Sequence, residues 1–399
     1  MRDTTNKRAR LLFVVNADWF FLSHRVRLAL AARDAGAEVI VVAGDTGKSG
    51  VIRSHGLDYI RLPLSRSSSN PFKDARTLIF LFNLYRQLRP DLVHHVTVKP
   101  IVYGSLAARI VGGIAVVNAI SGLAYTFSSD RLHARILRPL VTVLYRVALR
   151  DRHSRTIFQN PDDRDLLVGL RIVRPEQAVL IRGSGVDCDV FRQTTERGGV
   201  PLVMLPARML QDKGVREFVE AARQLRTSKH EARFVLVGDV DLGNPGSIQP
   251  GQLAEWEQEG VVEWWGHHTD MPAILAQANI VVLPSYREGL PRALLEAAAC
   301  GRAIVTTDVP GCREIVKAGV NGLLVPPRDS RNLAAAIERL LNSPELRQRL
   351  GQAGRQLAIR EFSEEIVLTS TLALYQSLLG SRWPASNNRP LARLDYENP

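Results

Sequence analysis

The sequence predicts an α/β protein made of two doubly wound parallel sheets facing each other across a cleft. Three observations carry this prediction. Short, nearly continuous apolar runs alternate with helical stretches along most of the chain, a pattern of parallel strands buried on both faces. The alternation pauses once, at the polar stretch Arg192–Gly199, and then restarts. The 399 residues, 45% hydrophobic and 23% charged, suit two or three globular domains and exclude a disordered, collagenous or coiled-coil chain.

In the first half, strands are expected at Leu11–Val15, Val39–Val42, Tyr59–Leu62, Leu92–Val96, Val116–Ile120 and Thr156–Gln159. Helical periodicity runs over His24–Asp34, closed by Gly36, and over Phe72–Leu88. In the second half, strands are expected at Leu202–Leu205, Phe234–Val237, Val261–Trp264, Ile280–Leu283, Ile304–Thr306 and Leu323–Val325, with helices between them. The domains are therefore 1–191, a linker at 192–200, and 201–364. A helix at 365–380 can pack back on the first domain, and 381–399 reads as a loose polar tail. Ligands belong in the cleft, beyond the carboxyl ends of the strands.

Lys+Arg outnumber Asp+Glu by 52 to 40, so the surface attracts anions. Aromatics are only 6% and no nucleic-acid-binding pattern appears, which sets nucleic acid aside. Cys188, Cys300 and Cys312 form no CxxC pair, and their odd number argues against a disulfide framework and for a reducing cytoplasm. The apolar run after the basic amino terminus, Leu11–Val15, is too short for a signal-peptide core of about 7–15 residues. Residues Ile101–Ser121, interrupted by Arg109 and Gly112-Gly113, read as a buried helix and strand rather than a membrane span.

The richest stretch is Leu283–Gly301. A strand ends at Leu283, a loop carries Glu288, Gly289 and Leu290, Pro291 stands where a first helical residue belongs, and Gly301 closes the helix. Gly289 lets backbone N–H groups approach a ligand, and the helix start favours an anion. Glu288 lies in the loop and Glu296 about two turns along the helix, so the two could hold opposite ends of one ligand. Taken alone, the pair reads first as a helix cap with two solvated carboxylates. Upstream, Arg208 and Lys213-Gly214 lie between a strand and the helix Val215–Leu225; an Arg fork, a Lys point charge and a helix start form a nest suited to a diphosphate.

Together these residues resemble the Glu-x7-Glu and Arg-x4-Lys-Gly motifs of retaining glycosyltransferase family 4, whose GT-B fold has two Rossmann-like domains. Val237-Gly238-Asp239, Trp265-Gly266-His267-His268 and Pro310–Glu314 sit where that family places donor-site loops and turns. The stretches Asn16–Arg25, His95–Pro100, Ser121–Phe127 and Phe158–Asp163 resemble the branch that extends polyprenyl-diphosphate-linked sugars in capsule, exopolysaccharide, O-antigen or glycoprotein glycan assembly.

The resemblance implies a nucleotide-diphospho-sugar donor, with a UDP-sugar expected, and no cofactor. Arg208, Lys213 and Glu288 are the implied catalytic residues. Gly238, Gly266, Gly289, Leu290, Pro291 and Glu296 are the implied donor contacts, with Glu296 on the ribose hydroxyls. Acceptor contacts are expected from Asp18, His24, Lys99 and Ser121. The family's amino-terminal-domain His has no direct counterpart, since Ile120-Ser121-Gly122 stands in its place; His24, and His94 or His95, are the candidates to replace it. No Asp-x-Asp motif fits the site, so transfer is expected without a metal. The implied partners are the nucleotide sugar, a polyprenyl-diphosphate-linked saccharide and an anionic membrane surface, with the enzyme peripheral on the cytoplasmic face. A nucleotide-sugar epimerase of the same fold, or a non-catalytic anion or nucleic-acid binder, are the alternatives.

The segment Arg131–Arg155 carries seven Arg and one Asp, +6 against +12 for the whole chain, interleaved with aliphatic residues. It reads equally as an interfacial membrane element and as a core helix with solvated Arg ends.

Overall fold

The computed structural model describes residues 8–64, 71–122, 132–228 and 230–384, the side chains of 71, 132–138 and 140 excepted. It divides into two compact units, Met1–Ser184 joined by the chain's return after Val367, and Gly185–Ile366.

In the first unit the chain runs β1 (Arg10–Val15), α1 (Asp18–His24), α2 (Val26–Asp34), β2 (Glu38–Ala43), α3 (Ser49–Ser54), β3 (Asp58–Arg61), α4 (Pro71–Leu88), β4 (Leu92–Val96) and α5 (Val98–Val111). It continues through β5 (Ala115–Ile120), α6 (Leu132–Leu149), β6 (Ser154–Phe158), α7 (Pro161–Gly169) and β7 (Ala178–Leu180). The seven strands are parallel in the order β3-β2-β1-β4-β5-β6-β7. Both sheet faces are buried: Leu11, Phe13 and Val15 enter one apolar cluster and Leu12 and Val14 the other, as period-2 alternation requires of a doubly covered strand. The order reverses between β1 and β4, so that unit's switch point lies where Asn16 and Thr97 leave the sheet.

The expected helix His24–Asp34 is two helices. Arg25, buried and at φ −134, breaks the turn and bonds the His24 carbonyl at 2.9 Å through Nη1. The strand β7 carried no sequence signal, being three half-buried residues at an edge.

The second unit runs β8 (Leu202–Pro206), α8 (Val215–Thr227), β9 (Arg233–Val237), α9 (Pro250–Gln258), β10 (Glu263–Gly266), α10 (Met271–Leu275), β11 (Ile280–Leu283) and α11 (Arg292–Ala299). It ends with β12 (Ala303–Thr307), α12 (Cys312–Ile315), β13 (Leu323–Val325), α13 (Ser330–Leu341) and α14 (Pro344–Phe362). The six parallel strands are ordered β10-β9-β8-β11-β12-β13 and reverse between β8 and β11. The Arg208–Gly214 and Ser285–Pro291 loops leave those two strands, so the two motif stretches flank the second switch point.

The polar stretch 192–200, expected as a linker, is a strap on the second unit. Glu196 pairs with the buried Arg347 at 3.0 Å and accepts from Asn279 at 2.9 Å, while the buried Arg302 donates to the Thr194 carbonyl at 3.0 Å. Composition is silent about these buried arginines, which lie more than 100 residues downstream.

After Ser363 the chain forms α15 (Glu364–Leu379), whose Val367, Leu368, Tyr375 and Leu379 join the cluster of Leu11 and Phe13. Trp383 is buried beside Tyr375, so the first residues of the tail expected from 381 are packed; 385–399 lie outside the described residues.

Candidate functional site

The second switch point gathers charge. Gly214, in the left-handed region at φ 73, turns the chain from Lys213 into α8, a 13-residue helix whose apolar face (Val215, Phe218, Val219, Ala222) is buried. Lys213 Nζ donates to Glu288 Oε1 at 2.5 Å. The Ser285 hydroxyl donates to the same oxygen at 2.7 Å. Ser285 is buried, and its carbonyl accepts from Thr307 on β12. Glu288 thus sits between a cation and a hydroxyl that the sheet holds in place. Charge-assisted bonds of this length fix side chains more firmly than neutral ones. Arg208, at the mouth of the other loop, pairs with Asp241 at 2.6 Å and is more exposed.

Gly289 is buried and Leu290 half-buried. Pro291 stands at the N-cap position (φ −72, ψ 114), so α11 begins one residue later than the sequence suggested. Glu296, on the second turn of α11, pairs with Arg292 at 2.7 Å and is 8% exposed. Burial pushes its carboxyl up from the ordinary range, and Arg292 offsets only part of that. Beneath the loop, burial pushes the Cys312 thiol up to about 12, so it stays protonated.

Gly238 and Gly266 lie at the ends of β9 and β10, bonded through Gly238 N–H to Gly266 O at 2.7 Å. A Cβ on Gly238 would fall 2.1 Å from the Ala207 carbonyl oxygen, a close approach only glycine permits; at Gly266 it would meet nothing within 4 Å. The Trp264 indole N–H holds the Gly238 carbonyl at 2.9 Å. Among the described residues no group of His, Cys, Asp and Glu could hold a metal ion.

The acceptor candidates of the first unit divide. Asp18 is fully buried, and its carboxylate accepts from the amides of Trp19, Thr46 and Lys48 at 2.8 to 2.9 Å and from the Thr46 hydroxyl. Burial raises its pKa, but those bonds outweigh burial and leave it lowered. This corrects the expected contact: Asp18 pins the loop 45–48 to α1 and has no face for a ligand. His94 and His95 are likewise excluded as substitute histidines. Both are buried; His94 bonds Tyr375 and stacks on Phe13, and His95 lies between Tyr85 and Asn118 at 2.9 Å from each. Burial pushes His95 down to about 4, and burial together with the Arg25 charge pushes His94 well below the ordinary range, so both are neutral.

Lys99 and Ser121 follow the ends of β4 and β5, and His24 closes α1. His24 is half-buried, stacked on Phe20 at 4.2 Å with Nδ1 on the Ser23 hydroxyl at 2.6 Å. Lys99, in the first turn of α5, pairs with Asp74 at 2.9 Å. Ser121 follows β5 and is half-buried, the last residues before a stretch outside the described ones. Asn16 and Thr97 lie in stretches the sequence singled out but were given no role; their side-chain oxygens are buried without partners, and Thr97 holds φ 73. A β-branched residue in that region is a strained position, which no pattern in the sequence announces.

Comparison with known proteins agrees with this geometry. Residues 10–160 match the family model "Glycosyl transferase 4-like", and 200–343 match "Glycosyl transferases group 1". The N,N'-diacetylbacillosaminyl-diphospho-undecaprenol alpha-1,3-N-acetylgalactosaminyltransferase of Campylobacter jejuni is 28% identical over 383 residues, 93% of this chain and 99% of the relative. Among solved structures, sucrose-phosphate synthase from Thermosynechococcus elongatus superposes with a TM-score of 0.78 at 20% identity, over 94% of this chain and all of that one. Anabaena HepE in complex with UDP-glucose does so with a TM-score of 0.74 at 19% identity, over 92% and 99%. The epimerase and non-catalytic alternatives draw no support from these relatives. The two sheets, the two switch-point loops and the two family matches make this chain a glycosyltransferase of family 4, with the GT-B fold.

Proposed function

We propose that the protein is a retaining, metal-independent transferase that moves a sugar from a nucleotide-diphospho-sugar, with UDP as the expected nucleotide, to a polyprenyl-diphosphate-linked saccharide. The observation that carries this reading is the Lys213–Glu288–Ser285 network at the second switch point. Support comes from the Campylobacter relative, named for a diphospho-undecaprenol acceptor, and from HepE, which holds UDP-glucose.

Transfer requires stabilisation of the charge that builds on the departing diphosphate. Lys213 and Arg208 are cations at that position, and the amides that open α8 and α11 add donors without reorganisation. In the free protein Lys213 is engaged by Glu288. A diphosphate competes for the ammonium and releases Glu288 to accept a hydroxyl of the donor sugar. Gly289 allows the backbone to approach, and Glu296, ionised when Arg292 and a ribose hydroxyl share it, fixes the nucleoside. Transfer with retention then follows from same-face attack, in which the leaving diphosphate takes the acceptor's proton.

His24, Lys99 and Ser121 would meet the acceptor on the first unit. A lipid-linked acceptor requires the enzyme to work at a membrane, and among the described residues no helix is long and apolar enough to cross one. Exposed Val143, Leu144 and Val147 on α6, near Arg150, Arg152 and Arg155, suit peripheral attachment to the anionic cytoplasmic face.

The test is transfer from a panel of UDP-sugars to synthetic undecaprenyl-diphosphate-linked saccharides in EDTA, with the product anomer read by NMR. Retention, undiminished turnover in EDTA and loss of at least about 100-fold in Glu288→Gln are expected, within the range for removal of one catalytic group. An inverted product, or a metal requirement, would refute the corresponding part of the proposal.

A further inference from the structure

Tyr286 lies between Ser285 and Glu288, yet its bonds go elsewhere. Its amide donates to the Asp212 carbonyl at 2.8 Å, and its phenol donates to Glu217 Oε1 at 2.6 Å. Asp212 precedes Lys213, and Glu217 is on the first turn of α8, so one residue grips the Lys213 turn on both sides. The Arg328 guanidinium covers the ring at 4.6 Å. Arg328 belongs to a third loop, after β13, and holds φ 62, a conformation that few non-glycine residues adopt. The second oxygen of Glu217 is buried without a partner, so the phenol is what satisfies this carboxylate. Burial and the carboxylate both push the phenol's pKa up, which keeps it a donor.

We infer that Tyr286 is a positioning residue: its hydroxyl, held on Glu217, fixes the Lys213 turn against the Glu288 loop and so sets how much Lys213 contributes to holding a diphosphate. The inference rests on the donor site proposed above. It assigns the residue a role that its place in the motif does not imply, because the contact spans 69 residues and uses neither the cation nor the carboxylate of the Lys213–Glu288 pair.

The experiment is a double-mutant cycle on UDP affinity by titration calorimetry in EDTA, with ADP and GDP run in parallel. If Tyr286 positions Lys213, K213A weakens binding by about tenfold in the natural protein but by about threefold or less in the Y286F background, the size of coupling expected of residues in one network. Glu217→Gln keeps an acceptor for the phenol and should leave affinity near its starting value, whereas Glu217→Ala should match Y286F. A tyrosine that only supports the fold would lower Tm and give additive effects of Y286F and K213A, and additivity would overturn the inference. If Y286F fails to fold, the E217A and E217Q pair, each combined with K213A, reads the same coupling. Absence of binding by any of the three diphosphates to the unsubstituted protein would instead overturn the donor site itself, and that result is visible before Tyr286 is changed.

Discussion

Two glycines of the second unit should respond very differently to one methyl group. In Gly238→Ala the new Cβ falls 2.1 Å from the Ala207 oxygen and 2.8 Å from its carbonyl carbon, at a backbone φ of 140. Ordinary contact begins near 3.4 Å, so the end of β8 must move by about 1 Å, a shift a packed interior resists. That segment is held by Ala207 N–H on Val237 O and Met209 N–H on Asp239 O, each at 2.9 Å. Backbone strain of about 1–3 kcal/mol, with weakening of two hydrogen bonds at about 1 kcal/mol each, gives a loss of about 3–5 kcal/mol. In Gly266→Ala the Cβ meets nothing within 4 Å, and only the left-handed penalty at φ 68 remains, about 1–2 kcal/mol. For a unit of this size each kcal/mol moves Tm by about 2–4 °C, so calorimetry should find Gly238→Ala lower by about 6–20 °C and Gly266→Ala by about 2–8 °C. Equal shifts, or a Gly238→Ala protein melting with the original, would refute the close approach of the two loops. If the open space at Gly266 serves the ligand, Gly266→Ala will also weaken UDP binding beyond its effect on Tm.

Other outcomes follow from the buried groups. His94 and His95 have folded pKa values below the ordinary 6.5, so the unfolded chain binds more protons below that pH; stability is full above about 6.5 and falls on acidification toward about 4. At pH 5.5 His95 contributes a loss of about 1.4 kcal/mol, and His95→Gln should flatten the Tm–pH curve measured between pH 5 and 7. An unchanged slope would show that His95 is not neutral in the fold. Glu196→Ala leaves the buried Arg347 guanidinium without its carboxylate, holding only the Leu340 and Leu341 carbonyls, which should cost the second unit about 3 kcal/mol in chemical denaturation; no change would mean that the strap does not hold there. Asp18→Asn should speed amide exchange at Thr46 and Lys48, whose N–H groups it would hold less well, and unaltered protection would show that the loop is held otherwise.

Most strands were legible because a strand covered on both faces must be apolar at nearly every position, and Leu92–Val96, Ile280–Leu283 and Leu323–Val325 stand where the apolar runs place them. Lys213 and Glu288 were legible only through the motif resemblance, since each, taken alone, reads as a solvated surface charge. Their mutual 2.5 Å contact was not, since no rule of spacing joins residues 75 apart. Pairing across distance also explains the remaining misses. Asp18, just past a strand, and His94, inside one, look in sequence like groups free to meet a ligand, and become structural once Thr46 and Tyr375 arrive from elsewhere in the chain. The strap at 192–200 reads as a linker until Arg302 and Arg347 fold beneath it.

The central claim is that Lys213 and its neighbours form a diphosphate site that needs no metal. Its most direct test is the Tm of the purified protein with UDP, GDP or ADP in EDTA. At about 100 times the dissociation constant a native-state ligand adds about 2.7 kcal/mol, so one of the three nucleotides should raise Tm by about 5–11 °C, and K213A should remove most of that rise. A Tm unmoved by all three, or raised equally in K213A, would contradict it.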